Sequence, residues 1–332
     1  MPADLDNLCR CDNGRSALQL AWTLAALTVL YFVMFYFMNE VFLASIILAA
    51  AVGILNLRIF SLMHDCSHYA YFTGRRANAW VGTFLGLVVM TPFFYWKYYH
   101  LKHHGTTGDL DRRGWGDVFT YTVEEYNGLS QIERISYRIY RNPWVYLTVG
   151  PFLYVFILMR NPFSVKRGTR ERRSCHLVHF VWIYIYVILF ASGVDVVKVF
   201  ALQLITIFVA GFIGLWLFYI QHQFETAYWR RSPDWQFYDA AWQGSSYLEV
   251  PRVVEWLVGN VNLHDVHHLD AKVPNYRLRE RMQSLQQAFG SRNVLRFSAS
   301  FKTFRLKLWD EEKGVMVGFP KRQAKLEQPS GR

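Results

Sequence analysis

Asn260-Val261-Asn262-Leu263-His264-Asp265-Val266-His267-His268 sets three imidazoles within five consecutive positions, a density that is rare outside metal sites. Two earlier stretches share its grammar. His64-Asp65-Cys66-Ser67-His68 places histidines at i and i+4, and His100-Leu101-Lys102-His103-His104 repeats the H-x-x-H-H spacing. Residues three and four apart share a helix face, so each stretch would project its rings in one direction.

Around these stretches the chain is unusually apolar, with 52% hydrophobic and 17% aromatic residues in 332, more than a soluble core of this size needs. The excess points to a membrane. The 36 Lys+Arg against 25 Asp+Glu suit a protein that faces anionic headgroups or an acidic partner. Nucleic acid is disfavoured, because zinc-finger and RRM-like spacings are missing and the basic residues sit in loops beside apolar runs. Cys9, Cys11, Cys66 and Cys175 do not make a disulfide framework and fit a reducing cytosolic face. Cys9 and Cys11 find no second pair with metal-site spacing. Residues 1–15 mix Asp4, Asp6 and Asp12 with Arg10 and Arg15, unlike a signal or transit peptide, so no cleavage is expected.

Apolar runs at 17–38 and 41–57 each approach the roughly 20 residues that span a bilayer, and only Asn39-Glu40 separates them. They predict a tight transmembrane hairpin. Arg58 marks the exit from hydrocarbon and puts the first histidine stretch at or just past the interface. The run 80–96 carries Gly82, Gly86 and Pro92 and must deliver His100, His103 and His104 to the same side, so it reads as a re-entrant or interfacial helix pair broken at Pro92. Lys97, Tyr98 and Tyr99 resemble an interface anchor. Residues 110–141 read as a polar cytosolic insert with at least one helix. Of the next three apolar runs, 144–159 has Gly150-Pro151 at its centre, and Arg160, Lys166, Arg167, Arg170, Arg172 and Arg173 follow it. The positive-inside rule keeps that loop cytosolic, so this run does not span. The spans expected are 17–38, 41–57, 177–193 and 197–220, with Asp195 and Lys198 at the external turn of the second hairpin.

The fold expected is therefore an all-α integral membrane protein: four transmembrane helices in two hairpins, re-entrant or interfacial helices, and a helical cytosolic cap carrying a His-rich dimetal site. Residues 1–332 form a single domain, with residues 1–16 as a cytosolic N-terminus, 17–220 as the membrane region, 221–319 as the cap and 320–332 as a solvated tail. Tyr228-Trp229-Arg230-Arg231 and Trp235 read as interfacial.

Parity places every histidine stretch on one face of the membrane, and His222 joins them at the cytosolic end of the last span. His176 and His179 are left over and read as interface residues. Imidazole suits iron, copper or zinc, and eight or nine of them hold two metals with a position left open. A structural zinc site closes at about four ligands and recruits cysteine. Asp65, Asp265 and Glu225 lie where a carboxylate would receive the second ring N–H of a ligand. Cys66 reads as packing.

These residues resemble a known family. His64-x3-His68, His100-x2-His103-His104 and His264-x2-His267-His268 are similar, in order and interval, to the three histidine boxes of the integral-membrane fatty acid desaturases. The resemblance covers nearly the whole chain. It extends to Gly108-Asp109-Leu110-Asp111-Arg112-Arg113-Gly114, to Trp216-Leu217-Phe218-Tyr219-Ile220-Gln221-His222-Gln223-Phe224-Glu225, and to His268-Leu269-Asp270-Ala271-Lys272-Val273-Pro274-Asn275-Tyr276, which look like bacterial acyl-lipid desaturases of the omega-6 or delta-12 type.

The resemblance implies a di-iron site that uses O₂ and two external electrons to place a cis double bond in an acyl chain. The implied ligands and catalytic residues are His64, His68, His100, His103, His104, His222, His264, His267 and His268. Stearoyl-CoA desaturases add an asparagine acting through water, and here Asn260 or Gln221 stands in its place. Three residues, rather than four, separate the first pair, which favours a lipid-esterified substrate over acyl-CoA. Front-end desaturases begin the third box with Gln and carry a fused haem domain with a His-Pro-Gly-Gly motif. This chain has His264 and lacks that motif.

A bent apolar tunnel would hold the acyl chain, with Phe93, Phe94, Tyr95, Trp216 and Phe218 as candidate walls. The basic face around Lys97, Lys102, Arg112 and Arg113 would receive a ferredoxin or cytochrome b5-type donor. The setting is a bacterial inner membrane with the site on the cytosolic side and no nucleic-acid partner. Two other readings share the boxes: a di-iron hydroxylase or ketolase of fatty chains, alkanes or carotenoids, and a non-catalytic metal-binding membrane protein.

Overall fold

A computed structural model describes residues 11–114 and 116–320. Cys9 and the tail beyond residue 320 lie outside the described residues. The first apolar run folds as α1 (Asn13–Phe37), capped by Asp12, whose side chain accepts from Arg15 N, as an N-cap should. The second forms α2 (Phe42–Ser67). It continues past the expected span into the first box, and at about 1.5 Å per residue it outreaches a hydrocarbon core of about 30 Å. Arg58 does not face water. It is 1% exposed, donates to Thr23 Oγ1 and the Trp256 carbonyl, and lies 4.0 Å from the Trp256 ring centroid.

α3 (Arg75–Val88) and α4 (Phe93–Thr106) form the re-entrant pair, bent by 105°. Pro92 lacks the N–H that would carry the helix through, and Met90, two residues earlier, takes φ 55°. The bend also needs Gly82, since a Cβ there would sit 2.4 Å from the Phe93 ring. Carbonyls released at the break find donors: Trp182 Nε1 reaches Leu87 O at 2.9 Å and Arg160 Nη2 reaches Met90 O at 3.0 Å.

The polar insert holds α5 (Val123–Gly128) and α6 (Gln131–Tyr140), each opened by a capping box, Thr122 with Glu125 and Ser130 with Glu133. A π turn, Val145–Val149, runs into α7 (Gly150–Phe156). The next helix, α8 (Arg170–Ala191), starts earlier than the apolar pattern predicts. Thr169 caps it by accepting from Arg172 N, so part of the basic loop is helical. α9 (Val196–His222) follows, capped by Asp195.

Among the described residues, four helices, α1, α2, α8 and α9, are each long and apolar enough to cross a membrane. Lys198 Nζ donates to Asn39 Oδ1 at 3.1 Å, so the two short turns lie side by side, opposite the ends that carry His64 and His222. The central pair is α2 against α9. A Cβ on Gly53 would come within 2.8 Å of Val209 Cβ, and this close approach carries both histidine-bearing helix ends to one place.

Beyond His222 come α10 (Phe237–Gln243), β1 (Tyr247–Glu249), α11 (Arg252–Leu257), α12 (His264–Leu269), α13 (Leu278–Phe289), β2 (Val294–Arg296), α14 (Phe297–Ser300), β3 (Leu308–Asp310) and β4 (Val315–Val317). The strands pair in two small ribbons, β1 with β2 in parallel and β3 with β4 antiparallel, so this mainly helical region holds strands that the helical expectation omits. Tyr228 and Trp229 are buried rather than interfacial. Arg230 N pairs with Gly108 O, and Arg231 binds Glu311 and Asp111. Trp235 Nε1 donates to Thr107 O at 2.9 Å, against the end of the second box.

Candidate metal centre

α2, α4, α9 and α12 deliver their histidines to one buried point. The rings sort into two groups, His64, His68, His100, His104 and His267 in one and His103, His222, His264 and His268 in the other, each with nitrogens within 4.8 Å of one another. Helical spacing explains the sorting. In both H-x-x-H-H stretches the i, i+4 pair goes to one group and the middle histidine to the other. His100 and His104 join the first group while His103 joins the second; His264 and His268 join the second while His267 joins the first.

Contact distances show what the nitrogens face. His68, His100, His104 and His267 form a chain of Nε2 to Nε2 separations of 2.8, 3.1 and 3.1 Å. In the second group the chain from His103 through His222 and His264 to His268 has steps of 3.2, 2.9 and 3.1 Å. One ring nitrogen carries a single in-plane proton or a single lone pair. As hydrogen bonds, these chains would make every interior nitrogen share that one site between two partners. As coordination spheres they are natural, because two nitrogens at right angles about an ion, each about 2.1 Å from it, are about 3.0 Å apart. The donor set therefore fits metal ions.

The protein sets the imidazoles for this task. His222 Nδ1 lies 3.1 Å from Gly244 O, which holds the proton on Nδ1 and leaves Nε2 its lone pair. His103 Nδ1 has Thr107 Oγ1 at 3.5 Å. Burial, reinforced by neighbouring histidines, pushes His264, His267 and His268 well below the usual imidazole range, so they stay neutral and ready to ligate. Trp96 stacks on His100 with centroids 4.4 Å apart, and Phe218 lies 5.3 Å from His103. A small cavity lined in part by Thr107, Asp117, Gln223 and Gly244 abuts His103 and His222. A larger apolar groove of about 510 Å³ lies between α8 and α9, and its lining includes none of the clustered histidines.

Several expected neighbours take other roles. Asp65 Oδ1 is 3.7 Å from His64 Nδ1, while its Oδ2 accepts from Asn275 N and Nδ2 at 2.7 Å each. Asp265 binds Arg292, and Glu225 is exposed. Asn260 Nδ2 donates to Asn275 O and Gln221 Nε2 to Val261 O. His176 is exposed and His179 half-buried, both outside the groups. Cys66 is buried in the apolar core. Of the candidate walls, Phe218 touches the centre, Phe93 folds over Gly82, and Trp216 stacks on Phe301. Of the basic residues near the site, Lys97 is buried with Nζ 3.5 Å from the Tyr69 centroid, Arg113 pairs with Glu125, and Arg112 pairs with Asp109 while staying exposed. Sequence reasoning passed over Trp96, Thr107 and Gly244. A backbone carbonyl has no side-chain signature, though the aromatic one turn before His100 was visible.

Comparison with known proteins agrees with this geometry. The family model for fatty acid desaturases matches residues 40–300, a stretch that holds all the clustered histidines. A fatty acid desaturase of Bacillus subtilis (strain 168) is 33% identical over 313 residues, 93% of this chain and 87% of that protein. An sn-1 oleoyl-lipid 12-desaturase of Synechocystis sp. is 28% identical over 244 residues, 70% of this chain and 65% of that one. A Delta(12)-oleate desaturase of Trichosanthes kirilowii is 25% identical over 265 residues, 70% of this chain and 66% of that one. By its histidine boxes, its paired nitrogen clusters and these relatives, the chain belongs to the fatty acid desaturase family.

Proposed function

We propose that the protein is an O₂-dependent acyl-lipid desaturase that introduces a cis double bond into a lipid-esterified chain at a di-iron centre. His64, His68, His100, His104 and His267 would hold one iron and His103, His222, His264 and His268 the other. The observation that carries this reading is the pair of Nε2 chains meeting in one buried site. Nine imidazoles without a thiolate suit iron, and a closed structural zinc site would leave half of them idle. When bound, the metal pair supplies the oxidant that an unactivated C–H bond demands.

The chain's own residues fix the geometry and keep water out. Gly244 O sets the His222 tautomer, and Trp96 and Phe218 cover ring faces that would otherwise be wet. Reducing O₂ to two waters takes four electrons, two from the C–H bonds removed and two from a donor. A ferredoxin or cytochrome b5-type protein on the histidine side would supply the latter pair. The esterified substrate is supported by the three-residue spacing of the first box and by the oleoyl-lipid relative. The basic stretch 166–173 on the histidine side supports a site facing the cytosol, with residues 17–220 as the membrane region and 221–319 as the cap, and the Bacillus subtilis relative supports a bacterial inner membrane.

Expression in a host without polyunsaturated lipids, followed by gas chromatography of its fatty acid esters, tests this reading. New double bonds on glycerolipid chains are expected. Hydroxylated products, or no product from an inserted, iron-loaded protein with a matched reductant, would overturn it.

A further inference from the structure

α6 is built inside out. At about 100° per residue its three isoleucines fall within an arc of about 60°, with Tyr137 and Arg141 roughly opposite. In a solvated helix on a protein surface the isoleucines would face inward. Here Ile132, Ile135 and Ile139 are 77%, 50% and 55% exposed, while Tyr137 and Arg141 are buried. The inward face is the polar one. Arg141 donates to Tyr219 OH at 3.1 Å and to Gln223 Oε1 at 2.6 Å, and Tyr137 OH donates to Lys307 O at 2.8 Å.

Two observations say what covers the ridge. Tyr219 and Gln223 stand on either side of His222 at the histidine-side end of α9, a helix long and apolar enough to cross a membrane, so Arg141 ties α6 to the depth at which that helix reaches the surface. The chain then turns by 60° into the apolar segment Val145–Arg160, and Trp144 at the turn is 74% exposed. Tryptophan beside a membrane-inserted segment belongs at the headgroup level.

We propose that α6 lies flat on the histidine-side face of the membrane with Ile132, Ile135, Ile139 and Trp144 set into interfacial lipid. The insert is thus a membrane-bound platform rather than the solvated element its composition suggests. A protein partner on this ridge would have to enter the bilayer beside Trp144, which disfavours a second copy or a redox protein as its cover. The inference stands independently of metal and substrate.

Spin labelling tests it in full-length protein reconstituted into vesicles of phosphatidylethanolamine and phosphatidylglycerol. Ile135→Cys and, separately, Ile139→Cys are labelled with a nitroxide in a Cys9→Ser/Cys11→Ser background, with Glu124→Cys as the exposed control. Collision with lipid-soluble O₂ and with a water-soluble nickel chelate is read by power saturation. Both ridge labels should show an O₂-to-nickel accessibility ratio several-fold above that of the control. Nickel accessibility equal to the control at both sites would overturn the proposal, and so would shielding from both reagents, the mark of a protein–protein contact.

Discussion

His104 and His268 stack face to face, centroids 4.1 Å apart and planes 13° from parallel, although one belongs to the five-histidine group and the other to the four-histidine group. The groups therefore share a wall. Each H-x-x-H-H stretch also sends histidines to both groups, so the two groups are built in part from the same helices.

The unequal groups give the first prediction. Wild-type protein should carry about two metal ions per chain by inductively coupled plasma mass spectrometry. His222→Ala cuts the smaller group to three ligands, and its count should fall to about one. His68→Ala leaves four in the larger group and should keep more metal than His222→Ala. Equal losses in the two variants would refute the grouping.

Asp65 gives the second. Its Oδ2 receives both Asn275 N and Nδ2, and Asn275 O receives Asn260 Nδ2 at 3.0 Å, so this carboxylate ties the first box to the segments flanking the third. Asp65→Ala leaves a buried N–H without a partner, at a cost of about 1–3 kcal/mol. Denaturant unfolding in micelles should show that loss together with reduced metal content. Wild-type stability and metal content in the variant would show that the tether is idle.

The histidines were legible because a helix turns an i, i+4 pair into a shared direction, and His222 was legible because an even number of spans had to separate it from His104. The re-entrant break was written in Gly82, Gly86 and Pro92. What could not be read was where long polar side chains end. Lys97, Arg112 and Arg113 form a basic patch in the sequence, yet in space one covers a tyrosine ring and two pair with carboxylates. The ridge of α6 was visible as isoleucines at i, i+3 and i+7. Its outward direction depends on the distant partners of Arg141.

Lys307 gives a pH prediction. Burial, with Arg141 nearby, pulls its ammonium down to about 7 from an ordinary 10.5, and Nζ donates to Arg141 O. Between those two values the unfolded chain holds a proton that the folded chain has released. Stability should therefore rise with pH from about 7 to about 10.5, while below 7 both states are protonated and the burial cost is constant. Thermal unfolding across this window should show the rise in wild type and a flatter profile in Lys307→Met. Identical slopes would refute the assignment.

Arg141 gives the last. Its guanidinium reaches Phe119 O, Thr120 Oγ1, Tyr137 OH, Tyr219 OH, Gln223 Oε1 and Leu306 O, joining the insert, the end of α9 and the C-terminal ribbon around His222. Lysine keeps the charge but has three donors on a compact head and cannot span that fan. Arg141→Lys would leave at least one buried acceptor unmet, at about 1–3 kcal/mol each, and would free the end of α9 that places His222. Arg138→Lys on the same helix alters an exposed side chain whose Nε binds Tyr126 OH, and should stay within about 0.5 kcal/mol of wild type. Unfolding and metal content measured on both variants should separate them, with Arg141→Lys alone losing stability and the ion of the four-histidine group. If the two variants match, Arg141 does not position His222.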